Sequence, residues 1–206
     1  MKKFIGISAV LATILFSGCS VKNEYVKDGV NLGGSEYTSL GIDSADFEYA
    51  AQEAVNSLLR SGALNRPNGG RYVIAMGPMI NDTTQRIDTD LLTKKIRIAL
   101  LNSGKAVMTT AVGSDGAEDE TTFIVRDKRE NDEFNQDTIA KKGTLIAPDM
   151  SLSGKIIQRN AGLSDKKRQL VDYYFLLTLT DVNSGLAFWE NENKISKVGS
   201  NKSVIW

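Results

Sequence analysis

Two short apolar segments that flank one amphipathic segment constrain the fold most strongly. Residues 72–76 and 106–110 are apolar runs bounded by turn residues, as is typical of buried strands. Between them, apolar side chains recur at helical spacing over residues 92–100, after a capping residue at Asp88 or Thr89. A strand, a helix and a strand within about 40 residues predict a parallel βαβ unit.

The C-terminal half of the chain has a different pattern, typical of antiparallel strands. Residues 170–180 are rich in aromatic and β-branched side chains and give the clearest strand signal. Residues 150–158 and 186–190 are weaker strand candidates on either side. The polar segments 164–168 and 181–185 fit the connections of two hairpins.

Two further helices are predicted outside the βαβ unit. One begins at Asp43 or Ser44 and ends at Ser61-Gly62, and a weaker one covers residues 132–142. The fold class is therefore α/β. We expect one small domain with a mixed sheet, in which a parallel βαβ half is followed by an antiparallel C-terminal meander, flanked by helices.

The N-terminus has the pattern of a secretory signal. Met1-Lys2-Lys3 is positively charged, residues 4–16 are apolar, and the small residues Ser17-Gly18 precede Cys19. This order resembles a bacterial lipobox, in which the cysteine receives a lipid and becomes the mature N-terminus. We therefore predict a signal peptide at residues 1–18, a lipidated Cys19 with a flexible tether over 19–42, and the α/β domain at 43–206.

Cys19 is the only cysteine in the chain, so it has no intramolecular disulfide partner. The alternative to acylation is a buried or incidental thiol. Acyl chains contribute about 0.8 kcal/mol per buried methylene, and stable anchoring takes more than one chain. A triacylated cysteine meets that condition. By resemblance to sorting rules of Gram-negative bacteria, Ser20 favours the outer membrane because it is not Asp.

Composition excludes several kinds of function. The chain has no histidine, which removes the usual zinc sites and the His-dependent catalytic triads. Lys and Arg total 25, as do Asp and Glu, and loss of Lys2 and Lys3 with the signal leaves 23 against 25. This balance gives no drive toward nucleic acid. No cofactor and no metal site are predicted.

Three local clusters are candidate sites. The acidic residues at 115–120 could bind calcium, although a solvated loop explains them better. Aromatic side chains at 173–175 and 188–189 could form a sugar platform, but strand alternation sends about half of them to the core. The basic residues Lys166, Lys167 and Arg168 are the strongest local charge feature for docking an acidic partner.

Several segments, taken in order, resemble a known family. They are Tyr72–Met76, Asn81–Thr83, Ile87–Thr93, Ala99–Lys105, Tyr174–Gly185 and Trp189. Together with the lipobox they resemble the LpoB-type activators of penicillin-binding proteins, which are outer-membrane lipoproteins. The resemblance spans about residues 43–198. It implies a non-catalytic protein that faces the periplasm, binds a bifunctional peptidoglycan synthase and stimulates it.

Two other functions stay open. One is an envelope lipoprotein of a secretion-pore or fibre-assembly system with a similar α/β core. A pore former would need a long amphipathic β segment in addition. The other is an enzyme that acts on cell-wall polymers through paired carboxylates, for which Asp119, Glu120, Asp172 and Glu190 are available.

Overall fold

The computed structural model describes residues 21–28, 30–34 and 38–203. Its elements are β1 Glu24–Lys27, β2 Val30–Gly33, α1 Ser44–Ser61, β3 Tyr72–Asp82, α2 Thr89–Asn102, β4 Ala106–Gly113, α3 Thr121–Arg126, β5 Met150–Gly162, β6 Arg168–Asp181 and β7 Ala187–Ser200. The strands form one sheet in the order β2-β1-β7-β6-β5-β3-β4. Strand β3 is parallel to β4 and β5, and the other pairs are antiparallel. The predicted mixed α/β sheet is confirmed.

The βαβ unit lies at one edge of the sheet. Strands β3 and β4 pair in parallel from Tyr72 opposite Ala106, and α2 connects them. Helix α2 begins after Asp88, whose carboxylate accepts the backbone N–H of Asp90 at 3.0 Å. Both the pairing and the capping residue match the sequence-based prediction.

Strand β3 is longer than predicted. The sequence indicates a stop at Gly77-Pro78, yet the strand continues to Asp82. Its pairing with β5 shifts between Met76 and Met79, so the two turn-forming residues lie in a bulge. Proline has no N–H for the ladder and is tolerated at such a bulge.

Strands β5, β6 and β7 form the long antiparallel meander. Pairing of β5 with β6 runs without interruption from Met150 opposite Asp181 to Gly162 opposite Gln169. Along β6 every second side chain from Val171 to Leu179 is buried, which places these residues on the face that the helices cover. The helices do not cover the other face, which we call the open face, and side chains of β6 on it such as Asp172, Tyr174 and Leu176 are half-buried.

Helices α1 and α2 pack on the same face of the sheet. Asp43 caps α1 by accepting the N–H groups of Ala45 and Asp46, and Gly62 ends the helix in the left-handed conformation (φ 78°). The fully buried apolar core is shared by the two helices and the central strands, and includes Leu58, Ile74, Leu92, Ile96, Leu100, Met150, Leu152, Ile156, Val171 and Leu179. No helix in the described ranges combines the length and apolar character needed to cross a bilayer.

The prediction of a flexible tether over residues 19–42 is wrong for Glu24–Lys27 and Val30–Gly33. These two segments pair as strands β1 and β2, and β1 pairs with β7 from Glu24 opposite Val198. The physical signal was Asp28-Gly29 between two short alternating segments, a common two-residue hairpin turn. Asp28 indeed has positive φ (50°). The folded domain therefore begins well before residue 43.

The predicted helix over residues 132–142 is also wrong, because this segment forms a series of turns. Asn131 and Asn135 accept backbone N–H groups two residues later, from Glu133 and Asp137. The side-chain amide of Gln136 donates to several neighbouring carbonyl oxygens. Such local side-chain bonds compete with helical hydrogen bonds. The only regular helix near this segment in the described chain is the short α3.

Candidate docking surfaces

A buried ion cluster holds the N-terminal hairpin to the domain. Lys197 on β7 is 0% exposed, and its Nζ lies 2.5 Å from Asp46 Oδ2 and 3.2 Å from Asp43 Oδ2. The same ammonium donates to the carbonyl oxygen of Gly41 at 2.7 Å and lies 5.0 Å from the ring centroid of Tyr25. One cation thus connects β1, β7 and the start of α1.

The charges of this cluster are compensated inside it. Tyr25 donates its hydroxyl to Asp46 Oδ1 at 3.1 Å, so both carboxylate oxygens of Asp46 have a donor. Burial raises the pKa of Asp46, and the charge of Lys197 opposes that rise. Burial also raises the pKa of Tyr25, helped by the nearby carboxylates. The cluster therefore holds the N-terminal hairpin to the domain.

The predicted basic residues Lys166, Lys167 and Arg168 lie together at the exposed tip of the β5–β6 hairpin. Asp165 orders this tip by accepting the backbone N–H groups of Lys167 and Arg168, each at 3.0 Å. It also accepts from Arg168 Nε at 2.6 Å, and these bonds, led by the one from Arg168, lower the pKa of Asp165 to about 2. The charge of Arg168 is thus compensated locally.

A second exposed surface lies beside β4, at the edge of the sheet opposite to the N-terminal hairpin. Val112, Phe123 and Ile124 are 45%, 41% and 52% exposed and line one shallow cleft between β4 and α3. Glu120 and Asp127 border the same cleft. We call these five residues the β4–α3 surface. It has an apolar centre and an acidic rim.

Strand β4 is an outer strand of the sheet, and the loop that follows it protects part of its free edge. The backbone N–H groups of Glu118 and Asp119 both donate to the carbonyl oxygen of Thr110, at 2.8 and 3.2 Å. Glu118 is held in turn by an ion pair with Arg97 of α2. The acidic loop is therefore an ordered border of the β4–α3 surface. Sequence reasoning missed this surface because its parts are distant in the chain.

Two of the four carboxylates that are candidates for cell-wall hydrolysis lie too far apart to act as a pair. Asp172 and Glu190 share the open face of the sheet but lie about 20 Å apart along the strands, since Glu190 is opposite Thr178. Asp172 is engaged by Lys194 at 2.9 Å and by Ser196 at 2.6 Å. A glycosidase pair needs a separation of about 5 to 9.5 Å. In the described ranges no cluster of acidic residues suits a metal ion.

The aromatic residues also separate as strand alternation predicts. Tyr173, Phe175 and Trp189 are buried, whereas Phe188 is exposed. Tyr173 is part of the core packing, where its hydroxyl donates to the carbonyl oxygen of Leu40 at 2.9 Å and accepts from Gln85 Nε2 at 2.5 Å. The set does not form one platform. Cys19 lies outside the described residues.

Comparison with known proteins identifies a family. The chain matches the family model "Peptidoglycan-synthase activator LpoB" over residues 46–195, well over half of its length. No curated protein matches. The chain is similar to the LpoB C-terminal domain from Salmonella enterica, with 15% identity, a TM-score of 0.39, and coverage of 72% of this chain and 97% of that one.

Two other solved structures show comparable likeness. The NMR structure of E. coli LpoB has 14% identity and a TM-score of 0.39, covering 95% of this chain and 96% of that one. Lipoprotein GNA1162 from Neisseria meningitidis has 16% identity and a TM-score of 0.33, covering 65% and 87%. These TM-scores are low, and the assignment depends on the family model alone. On that basis, the chain belongs to the LpoB family of peptidoglycan-synthase activators.

Proposed function

We propose that this protein is an outer-membrane lipoprotein, facing the periplasm, that binds a bifunctional peptidoglycan synthase and raises its activity. The observation that carries this proposal is the family match over residues 46–195. In this role the protein is a regulator of cell-wall synthesis and not an enzyme. The separation of Asp172 from Glu190 supports a binding function, because it gives that pair no shared reaction site.

We propose Cys19 as the lipidation site. The apolar segment 4–16 and the small residues Ser17-Gly18 support cleavage before this cysteine. A thioether-linked lipid with additional acyl chains, palmitate among them, would provide the multiple chains that stable anchoring needs. Anchoring keeps the protein near its partner and so raises its effective concentration.

The β4–α3 surface is the proposed contact with the synthase. Its apolar centre of Val112, Phe123 and Ile124 resembles the centre of a protein interface, where aromatic and aliphatic side chains replace charges. Glu120 and Asp127 at its rim favour a partner surface with basic residues around an apolar centre. The surface also lies at the edge of the sheet away from the N-terminal hairpin, and hence away from the proposed anchor.

Activation then follows from differential binding. A regulator shifts its target only if it binds the active conformation more tightly than the inactive one. Coupling of about 1 to 3 kcal/mol corresponds to roughly a 5- to 150-fold change in an equilibrium. No chemical group of the activator needs to enter the active site of the synthase.

The test uses purified bifunctional synthase and this chain from residue 20 onward. The immobilised chain is tested for retention of the synthase, and the rate of glycan polymerisation is measured with and without the chain. The start point matters, because a chain that began at residue 43 would lack β1, β2 and the Tyr25 contact with Asp46. We expect retention of the synthase and faster polymerisation. Retention without any change of rate would contradict the proposed activation, and the absence of retention would contradict the proposed partner.

A further inference from the structure

The link between the proposed lipid and the folded domain is short. The side-chain amide of Asn23 donates to the carbonyl oxygen of Thr38 at 2.9 Å, and the next residue, Glu24, is paired with Val198. Asn23 is therefore fixed to the domain. Four peptide units separate Cys19 from Asn23, so their Cα atoms lie within about 14 Å in any conformation. An acylated Cys19 would thus hold the domain against the membrane surface.

The strand register shows which end of the domain faces that surface. Glu24, Val198, Leu170 and Ala161 form one row across β1, β7, β6 and β5. The chain leaves this row toward Asn23 in the same direction in which β5 continues to its hairpin tip. The tip and the start of β1 therefore lie at the same end of the sheet, and residues of both line one depression.

This end carries more free positive than negative charge, even with the carboxylate of Glu24, which forms no salt bridge with a described residue. Lys22, Lys166, Lys167 and Lys202 are exposed there, and none of them forms a salt bridge with a described residue. We call these four lysines the basic end. Arg168 adds no free charge because Asp165 compensates it. The remaining lysines suit a surface of phosphate groups.

We propose that the basic end rests on the phospholipid headgroups of the membrane that holds the anchor. This inference depends on the proposed acylation of Cys19. It assigns Lys166 and Lys167, predicted from the sequence to dock a protein partner, to contact with anionic lipid. Each lysine near an anionic surface strengthens attachment about fivefold at moderate salt. Because the lysines lie next to the anchor, their contact with lipid also fixes the orientation of the domain on the membrane.

The same geometry sets the reach of the domain. Strand β6 has 14 residues and spans about 45 Å from the tip to the opposite hairpin. If the basic end lies on the membrane, this strand carries the hairpin at residues 182–186 far from it. The length of the folded body then replaces a long tether.

Single labelling sites test this orientation. Acylation blocks the one native cysteine, so Ser164→Cys at the basic end and Asn183→Cys at the opposite hairpin can each be labelled alone. The acylated full chain is inserted into vesicles of phosphatidylethanolamine and phosphatidylglycerol that contain a headgroup acceptor dye. We expect strong energy transfer from the label at 164 and weak transfer from the label at 183. Equal transfer from both sites would overturn the proposal.

A charge variant then tests the contact itself. Lys166→Ser combined with Lys167→Ser should lower transfer from the label at 164, and omission of phosphatidylglycerol should have the same effect. The matched control is Lys141→Ser combined with Lys142→Ser, an exposed lysine pair in the segment after α3, which should change nothing. Unchanged transfer with weaker activation of the synthase would show that the tip docks protein, and would overturn the lipid contact.

These outcomes separate the orientation from the proposed function. If the chain does not co-float with the vesicles in a density gradient, the proposed lipid anchor is wrong, and the proposed orientation is wrong with it. The activation of the synthase in solution, measured with the same chain from residue 20, is independent of both. An anchored chain that activates the synthase but shows equal transfer from residues 164 and 183 refutes the orientation alone.

Discussion

The two edges of the sheet differ in how their outer elements are held to the domain. At one edge, the β1–β2 hairpin is held by Lys197, which is 0% exposed and shared by Asp43 and Asp46. At the other edge, β4 is covered only by the loop that follows it, and Val112 and Phe123 remain exposed. The outer strand at the first edge, β2, also exposes Val30 and Leu32, at 61% and 63%. The edges therefore differ in the buried ion cluster, which fixes the N-terminal hairpin at one of them.

This difference separates two tasks within one small domain. A buried ion cluster holds its members in one geometry, because removal of either partner leaves an uncompensated charge. Exposed apolar side chains with an acidic rim leave the surface ready for a partner. We therefore expect substitutions at the first edge to change stability and those at the second edge to change activation.

The largest effect is expected for Lys197→Met. The substitution leaves the carboxylate of Asp46 buried without its cation, which costs about 3 to 5 kcal/mol. Lys194→Met is the matched control, because Lys194 pairs with Asp172 at 2.9 Å on the half-exposed face. Its loss should stay below about 1 kcal/mol. Urea unfolding measures both values, and equal losses would refute the structural role of the buried cluster.

A smaller loss is expected for Tyr173→Phe. Its hydroxyl donates to Leu40 and accepts from Gln85, which also accepts the backbone N–H of Ile42 at 3.0 Å. Loss of the hydroxyl leaves two buried groups without their partner and should cost about 1 to 3 kcal/mol. Tyr174→Phe, on the open face, is the control. A drop in unfolding free energy for the control but not for Tyr173→Phe would contradict this assignment.

Phe123→Ser tests the second edge through binding. We expect about a tenfold weaker affinity for the synthase, typical of an aromatic residue at an interface centre, with stability changed by less than about 0.5 kcal/mol. Leu186→Ser, at an exposed apolar residue of the β6–β7 hairpin, should leave affinity unchanged. Titration by surface plasmon resonance compares the two variants. The reverse pattern would move the docking surface to that hairpin.

The smallest effect is expected from acidification of the hairpin tip. The pKa of Asp165 is lowered to about 2, so its bonds are fully present above the usual pKa near 4 and are lost as pH falls through about 2. Protection of the Lys167 and Arg168 amides from exchange, relative to the rate of an unfolded chain at the same pH, should therefore fall at low pH. In Asp165→Asn this protection should change little with pH. Protection that stays constant as the pH falls well below that of the Asp165 transition would contradict the capping geometry.

Periodicity in the sequence predicted the elements whose burial has one clear face. The βαβ unit followed from two short apolar runs on either side of a helical stripe, and strand β6 from its aromatic and β-branched side chains. The β1–β2 hairpin was missed because its strands have only four residues each, too few for a clear alternating pattern. The helix predicted over residues 132–142 was wrong because asparagine side chains there favour turns.

The candidate sites divide in the same way. Lys166, Lys167 and Arg168 are consecutive, so sequence inspection found them, but only the strand register places them beside the start of β1. The β4–α3 surface joins Val112 to Phe123 and Ile124 through the fold of the loop between them. The contact of Lys197 with Asp46 joins residues that are 151 positions apart in the sequence. Sites of this kind can be recognised only from the tertiary structure.

The most direct test of the account is the rate of glycan polymerisation by a purified bifunctional synthase at saturating concentrations of this protein. We expect the rate to rise about fivefold or more, the lower range of ordinary coupling between binding sites. Phe123→Ser should require about ten times more protein for the same rise. A rate that stays unchanged while the two proteins are shown to be bound would contradict activation as the function of this chain.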